Sequence, residues 1–209
     1  MIRVKICGIR RAEDAVAAAD AGADAIGLIF YPKSRRAVTP ESAKAILAGL
    51  PPYVSPVALF VNEEPERIRA VCGPLGIRTV QLHGDEPPDA ARALDGFCVV
   101  KAFRVAQEAD LAALADYPAH AFLLDTKVEG SYGGTGVTFD WTLAARAKQY
   151  GRIVVAGGLN PDNVAEAVQM AMPYGVDVSS GVETEPGQKD WEKVRAFVAR
   201  ARAAGGAEG

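Results

Sequence analysis

The sequence has few cysteines and few histidines, which argues against several kinds of site. Its three cysteines, Cys7, Cys72 and Cys98, are widely spaced and include no Cys-x-x-Cys pair, so no disulfide framework is expected. The only two histidines are His83 and His120, and no group of His, Cys, Asp and Glu has the spacing of metal ligands. We therefore expect no metal site and a reducing, intracellular compartment.

The chain also lacks an excess of either charge and any long apolar run. Lys and Arg number 23 against 26 Asp and Glu, and no segment is basic enough to bind nucleic acid. No run reaches the roughly 18 apolar residues of a membrane span. The N-terminal stretch MIRVKICGIRR lacks the apolar core of a signal peptide. These absences predict a cytoplasmic protein with neither nucleic acid nor membrane as a partner.

Apolar residues are abundant, at 49% of 209 residues, and they recur in an alternating pattern. Short apolar runs such as Ala25–Phe30 and Arg152–Ala156 alternate eight times with Ala-rich helical stretches. Strands that are apolar on both faces are typical of parallel sheets covered by helices. The pattern favours a single α/β domain, a (β/α)8 TIM barrel over residues 1–205, with an open doubly wound sheet as the alternative. Residues 206–209 are expected to form a frayed tail, and Thr39 is expected to cap a helix that begins at Pro40.

Two glycine-containing loops follow the seventh and eighth predicted strands. The stretch AGGLNPDNV contains Gly157 and Gly158, and DVSSGVE contains Ser180 and Gly181. In such barrels the active site lies at the C-terminal ends of the strands, and these two loops often bind phosphate through backbone N–H groups. Either loop alone would also suit a simple tight turn. Both loops together, at the two expected places, predict a phosphate site.

Two titratable residues end strands on nearly opposite sides of the predicted barrel. Cys7 ends the first strand and Asp125 the sixth, so an acid and a base could face each other across a bound sugar. A cysteine is a competent base only if its pKa is lowered, for which Lys5 or loop dipoles are candidates. Cys7 could equally be a small buried apolar residue. Cys72 and Cys98 are interpreted in that structural way.

Further polar residues near the strand ends have less certain roles. Arg36 has the planar fork that suits a carboxylate, although Arg36 and its neighbours Lys33 and Arg35 could equally form a solvated loop. His83 could shuttle a proton, bind substrate or serve the structure, and we favour the last two. Asp177 could orient the phosphate loop or reach a sugar hydroxyl.

Two lysines within predicted strands, Lys5 and Lys101, leave a second chemistry open. Either could form a Schiff base with a phosphosugar, which would make the protein a lyase. Paired charges that fill the barrel interior are the preferred interpretation for both. A non-catalytic phosphosugar-binding barrel is the third possibility, but it does not explain why Cys7 and Asp125 are both present.

At these residues the sequence resembles the phosphoribosylanthranilate isomerase family, from the first strand almost to the last helix. The motifs that carry the resemblance, in chain order, are KICGI, DAIGLIFYPKSRR, VALFVNE, VQLHGDE, LLDT, GGTGVTFDW, AGGLNPDNV and DVSSGVE. The resemblance implies an Amadori rearrangement of N-(5-phosphoribosyl)anthranilate in L-tryptophan biosynthesis, without a cofactor, in a monomer or a homodimer.

The resemblance also implies a role for individual residues. Cys7 would be the general base that removes the sugar C2 proton, and Asp125 the general acid that protonates the ring oxygen. Arg36 would hold the anthranilate carboxylate. The loops at Gly157–Gly158 and Ser180–Gly181 would hold the phosphate. The stretch KVEGSY, residues 127–132, is a candidate flap over the substrate.

Overall fold

Eight parallel strands close into a barrel. The computed structural model describes residues 1–126 and 140–206. The eight strands pair in sequence order, and β1 pairs with β8 to close the ring, which confirms the barrel and excludes the open sheet. The strands are β1 Arg3–Cys7, β2 Ala25–Ile29, β3 Ser55–Phe60, β4 Thr79–Leu82, β5 Cys98–Val105, β6 Ala121–Thr126, β7 Ile153–Val155 and β8 Gly175–Val178.

Helices follow the strands and form the outer layer. The α-helices are α1 Ala12–Asp20, α2 Pro40–Ala48, α3 Pro65–Leu75, α4 Pro88–Arg92, α5 Trp141–Ala147, α6 Val164–Ala171 and α7 Trp191–Gly205. The start of α2 is as predicted: the Thr39 side chain accepts a hydrogen bond from Ser42 N, and Pro40 occupies the first turn. Between β5 and β6 the predicted α-helix is instead a 3₁₀ helix, Glu108–Leu114.

The alternation of side chains along each strand separates the helix-facing core from the barrel interior. On β1, the fully buried Ile6 belongs to the main apolar cluster between strands and helices. Its neighbour Cys7 belongs to a smaller cluster with Ile29 and Leu59. This register places the sulfur of Cys7 inside the barrel, near the C-terminal end of the strands.

Three further features differ from the sequence-based expectations. Cys98 is exposed rather than buried, because it is the first residue of β5, at the open N-terminal edge of the barrel. A short antiparallel hairpin, β9 Glu183–Glu185 and β10 Gln188–Lys189, lies between β8 and α7 and was not predicted. Helix α6 begins at Val164 rather than at Pro161.

Two predictions concern residues that the structure does not describe. The candidate flap, 127–132, lies outside the described residues, as does most of the predicted tail, 206–209. Of the helices in 1–126 and 140–206, none is both long enough and apolar enough to cross a membrane.

Candidate active site

A cavity opens at the C-terminal ends of the barrel strands and collects almost all of the predicted site residues. It is lined by Cys7, Arg36, His83, Asp125, Gly157, Gly158, Asp177 and Ser180, together with Ile29, Tyr31, Ser34, Leu59, Val61, Gln81, Ala156, Leu159, Val178 and Ser179. Gly181 lies directly behind this wall rather than in it. The strand-end rule therefore brings together residues that are up to 173 positions apart, from Cys7 to Ser180.

Cys7 lies beside a buried ion pair. The Lys5 Nζ donates a hydrogen bond to Asp177 Oδ1 at 2.9 Å, across the register pair that joins β1 to β8. The positive charge of the same ammonium also acts on the sulfur of Cys7. Gly27 of β2 leaves room for this contact, because a Cβ there would lie 2.7 Å from the Cys7 sulfur and 3.1 Å from Lys5 Nζ.

The charge on Lys5 opposes the effect of burial on Cys7. Burial raises the pKa of the Cys7 thiol above its ordinary value, and Lys5 is the largest influence in the other direction. Burial alone would lower the pKa of Lys5, but Asp177 and Cys7 outweigh it, so that the pKa is raised and the ammonium stays charged. Lys5 is therefore the main cation that stabilises the thiolate, and the charge of Lys189 acts in the same direction.

Asp125 is the penultimate residue of β6, on the other side of the cavity, and His83 directly follows β4. The carboxylate is 6% exposed, and His83 Nε2 lies 3.5 Å from Asp125 Oδ2. Gln81 Nε2 lies 2.8 Å from His83 Nδ1. This hydrogen bond holds the imidazole ring with Nε2 facing Asp125. Gln81, absent from the sequence-based candidates, thus orients His83.

Arg36 reaches the cavity from the loop after β2, but it does not stand alone there. Its Nη2 donates to Glu183 Oε2 at 2.7 Å, and its Nε donates to Glu183 Oε1 at 2.9 Å. The hydrogen bond to Glu183 raises the pKa of Arg36. Lys33 and Arg35 are exposed, so the solvated-loop interpretation applies to them and not to Arg36. Glu183 was not predicted as a site residue, although it ends the motif DVSSGVE.

Glycines shape the far end of the cavity. Gly157 and Gly158 both have a positive φ, 77° and 67°, a conformation that favours glycine. At Gly181 a Cβ would lie 1.9 Å from the carbonyl oxygen of Leu159, so the loops after β7 and β8 can touch only because this residue is glycine. Asp177 binds Lys5 rather than the phosphate loop.

Lys101 is held away from the cavity. Its Nζ donates to the Gly84 carbonyl oxygen at 2.6 Å and to Glu86 Oε2 at 2.7 Å. Burial lowers the pKa of Lys101, while Glu86 opposes that effect. Both lysines are therefore paired charges, as preferred from the sequence, but only Lys5 lies inside the barrel, because Lys101 is on the helix-facing side of β5 together with Val99 and Val105.

Almost the whole chain matches known proteins of one family. Residues 4–200 match the family model for N-(5'-phosphoribosyl)anthranilate (PRA) isomerase. The chain belongs to this family. Among curated relatives, the N-(5'-phosphoribosyl)anthranilate isomerase of Citrifermentans bemidjiense is 54% identical over 97% of this chain and 98% of its own. That of Geobacter sulfurreducens is 50% identical over 97% of this chain and 99% of its own.

Solved structures of the family have the same fold. The enzyme from Thermotoga maritima has a TM-score of 0.91 and is 44% identical, covering 97% of this chain and 100% of its own. A second structure from that organism contains monomers of what is described as a dimeric enzyme, with a TM-score of 0.87, 43% identity and the same coverage. Another family member, in complex with reduced 1-(o-carboxyphenylamino)-1-deoxyribulose 5-phosphate, has a TM-score of 0.88 at 42% identity, again with 97% and 100% coverage.

Proposed function

We propose that this chain isomerises N-(5-phosphoribosyl)anthranilate to 1-(2-carboxyphenylamino)-1-deoxyribulose 5-phosphate, the Amadori rearrangement of L-tryptophan biosynthesis. The observation that carries the proposal is the convergence of Cys7 and Asp125 on one cavity that also contains Arg36 and the two glycine loops. Membership of the isomerase family supports it.

The cavity offers one place for each end of the substrate. The loops around Gly158 and Ser180 provide backbone N–H groups for the phosphate, and the positive φ of Gly158 keeps a Cβ out of the way. The guanidinium of Arg36 binds the anthranilate carboxylate. The ribose then lies between these two anchors, with Cys7 and Asp125 on either side of it.

Asp125 acts first, as the general acid. It donates its proton to the furanose ring oxygen, the bond from C1 to that oxygen breaks, and the lone pair of the anthranilate nitrogen forms a C=N⁺ bond to C1. His83, whose Nε2 faces Asp125, keeps the carboxyl group directed into the cavity. The substrate's own nitrogen supplies the electron sink, so we propose that no cofactor takes part.

Cys7 completes the rearrangement as the general base. Its thiolate removes the proton from C2, and the C2–H electrons form an enolamine while the iminium nitrogen becomes neutral. Transfer of the C2 hydroxyl proton and protonation of C1 then give the ketose. Lys5 stabilises the thiolate through its nearby positive charge, a role that needs a charged ammonium.

The decisive experiment measures the loss of phosphoribosylanthranilate fluorescence, with the substrate made in situ from anthranilate and phosphoribosyl pyrophosphate. Wild-type protein should consume it. The variant Asp125→Asn should lower kcat by roughly 10²- to 10⁴-fold with little change in KM, because it removes a proton transfer and little ground-state binding. Asp89→Asn, which alters a side chain that is 90% exposed, serves as the matched control. A rise in KM at unchanged kcat would contradict the role of Asp125.

We also propose an oligomeric state and a cellular location for the enzyme. We propose that the enzyme is a monomer or a homodimer. The Thermotoga maritima relative is a dimeric enzyme of which monomers have been crystallised. We propose a cytoplasmic location, in line with a biosynthetic role and a small-molecule substrate.

A further inference from the structure

Glu183 makes more polar contacts than any role in the proposed chemistry requires. Its carboxylate accepts hydrogen bonds from Arg36 on one side and from Lys189 Nζ, at 2.8 Å, on the other. Gly187 N also donates to Glu183 Oε1 at 3.2 Å, which closes the turn of the β9–β10 hairpin around the carboxylate. The Glu183 side chain is 4% exposed and that of Lys189 is 0% exposed. A buried cation–anion–cation cluster therefore stands behind Arg36.

This cluster fixes the plane of the guanidinium. The Glu183 carboxylate accepts one hydrogen bond from Nε and one from Nη2 of Arg36. This is the side-on bidentate geometry of an arginine–carboxylate pair. Within residues 1–126 and 140–206 no acceptor is bonded to Nη1. The edge formed by Nη1 and Nη2 is thus the part of Arg36 that can receive a second carboxylate.

The hairpin that carries Glu183 is itself anchored on two sides. Lys189 Nζ donates to the carbonyl oxygen of Ser179 at 3.1 Å, in the loop proposed to bind phosphate. The Asp14 carboxylate of α1 accepts hydrogen bonds from Lys189 N and from Trp191 Nε1, at 3.5 and 2.9 Å. A shift of the hairpin would therefore disturb the phosphate end as well as Arg36, so Glu183 has a rigid support.

The charges leave the cluster short of one anion. Arg36 and Lys189 carry two positive charges against one on Glu183. Burial alone would raise the pKa of Glu183, but the hydrogen bond from Arg36 and the charge of Lys189 outweigh it, so the pKa is lowered and the carboxylate stays ionised. A ligand carboxylate at the free edge of Arg36 adds a second anion to this cluster, and the Cys7 thiolate also acts on Arg36 and Lys189.

We propose that Glu183, supported by Lys189, is a positioning residue that orients Arg36 toward the substrate carboxylate and thereby gives the site its preference for a carboxylated arylamine. This inference rests on the proposed function, since it assumes that Arg36 meets the anthranilate group. It predicts that the loss of Glu183 damages recognition of the carboxylate selectively.

The test compares two ligands that differ only in that carboxylate. Binding of reduced 1-(o-carboxyphenylamino)-1-deoxyribulose 5-phosphate and of its analogue without the carboxylate is measured by titration calorimetry. Glu183→Gln should weaken binding of the carboxylated ligand by roughly 10- to 100-fold, the range expected when a supporting partner of a binding group is lost. Binding of the analogue should change by less than about threefold.

Two further variants make the experiment decisive. Glu183→Gln leaves the Lys189 ammonium buried without its anion, and if this prevents folding, Glu183→Gln with Lys189→Met removes both charges together. In an Arg36→Met background, Glu183→Gln should have no additional effect on the carboxylated ligand, because the group that it positions is gone.

Each outcome decides one question. If the wild type binds neither ligand and does not turn over phosphoribosylanthranilate, the proposed function fails and this inference fails with it. If the wild type binds both, equal losses for the two ligands in Glu183→Gln would reduce Glu183 to a structural role and overturn the inference. So would unchanged binding of both. A loss confined to the carboxylated ligand supports it.

Discussion

Replacement of Lys5 by Met tests whether the thiolate of Cys7 depends mainly on this neighbouring cation. The side chain of Lys5 is 12% exposed and paired with Asp177, so water compensates little for its removal. Without the ammonium, burial and the negative charge of Asp177 are opposed by the weaker effect of Lys189, and the pKa of the thiol rises further. We expect kcat/KM to fall most at low pH and to recover toward the wild-type value as the pH rises and the thiolate returns.

The size of the effect follows from the distances at Gly27. One point, the Cβ position at Gly27, lies 2.7 Å from the Cys7 sulfur and 3.1 Å from Lys5 Nζ. The two atoms are therefore within about 6 Å of each other, and at that separation, with an effective dielectric constant of about 20, two unit charges interact by about 3 kcal/mol. That free energy corresponds to about a 100-fold change in thiolate population at a fixed pH below the pKa. We therefore expect kcat/KM to fall by roughly 10- to 100-fold near neutral pH.

The rate at which iodoacetamide alkylates Cys7 measures the fraction of thiolate independently of the enzymatic reaction. Cys98 is exposed and would react as well, so the wild-type and Lys5→Met proteins that are compared both carry Cys98→Ser. Cys72 is fully buried and needs no substitution. The control variant combines Lys5→Met with Asp177→Asn, which also removes the carboxylate that Lys5 had paired. Its Cys7 should react faster than the Cys7 of Lys5→Met alone. A Lys5→Met protein with the wild-type pH profile and alkylation rate would refute this role, as would a loss that is equal at every pH.

Two further substitutions test the phosphate end and a helix start. Gly181→Ala places a Cβ 1.9 Å from Leu159 O, so the loops after β7 and β8 must separate; KM and the inhibition constant of inorganic phosphate should both rise by about tenfold or more. Gly73→Ala, where no atom lies within 4 Å of the new Cβ, should leave both constants unchanged. Thr39→Ala should lower the free energy of unfolding by about 1 kcal/mol in urea denaturation without changing kcat, because it removes only the cap of α2.

The barrel could be predicted from the sequence because its signal is repeated eight times, whereas the errors concern single local contacts. Helix α6 starts late because Asn163 Oδ1 accepts a hydrogen bond from Asn160 N at 2.8 Å, and Asn160 Oδ1 accepts one from Asp162 N at 2.8 Å. Such side chains compete with the first turn of a helix. The β9–β10 strands have three and two residues, too few for any periodicity to appear.

The positions of the site residues could be predicted, but their partners could not. Cys7, Asp125 and Arg36 were found because the C-terminal ends of parallel strands meet at one mouth. Their partners depend on the closure of the ring: Lys5 and Asp177 are 172 positions apart, and Arg36 and Glu183 are 147 apart. No local pattern connects residues at such distances, so charge pairing across β1 and β8 appears only in the folded structure.

The two buried lysines favour proton transfer over Schiff-base chemistry in this barrel. A Schiff base needs an uncharged amine that can reach the substrate. Lys101 has a lowered pKa, but its Nζ is bonded to Gly84 O and Glu86 and does not line the described cavity. Lys5 lies next to the cavity, but its pKa is raised and its Nζ is held by Asp177. The amine that loses its proton more easily is thus out of reach, and the amine beside the substrate stays a cation, which is the state that a thiolate base requires.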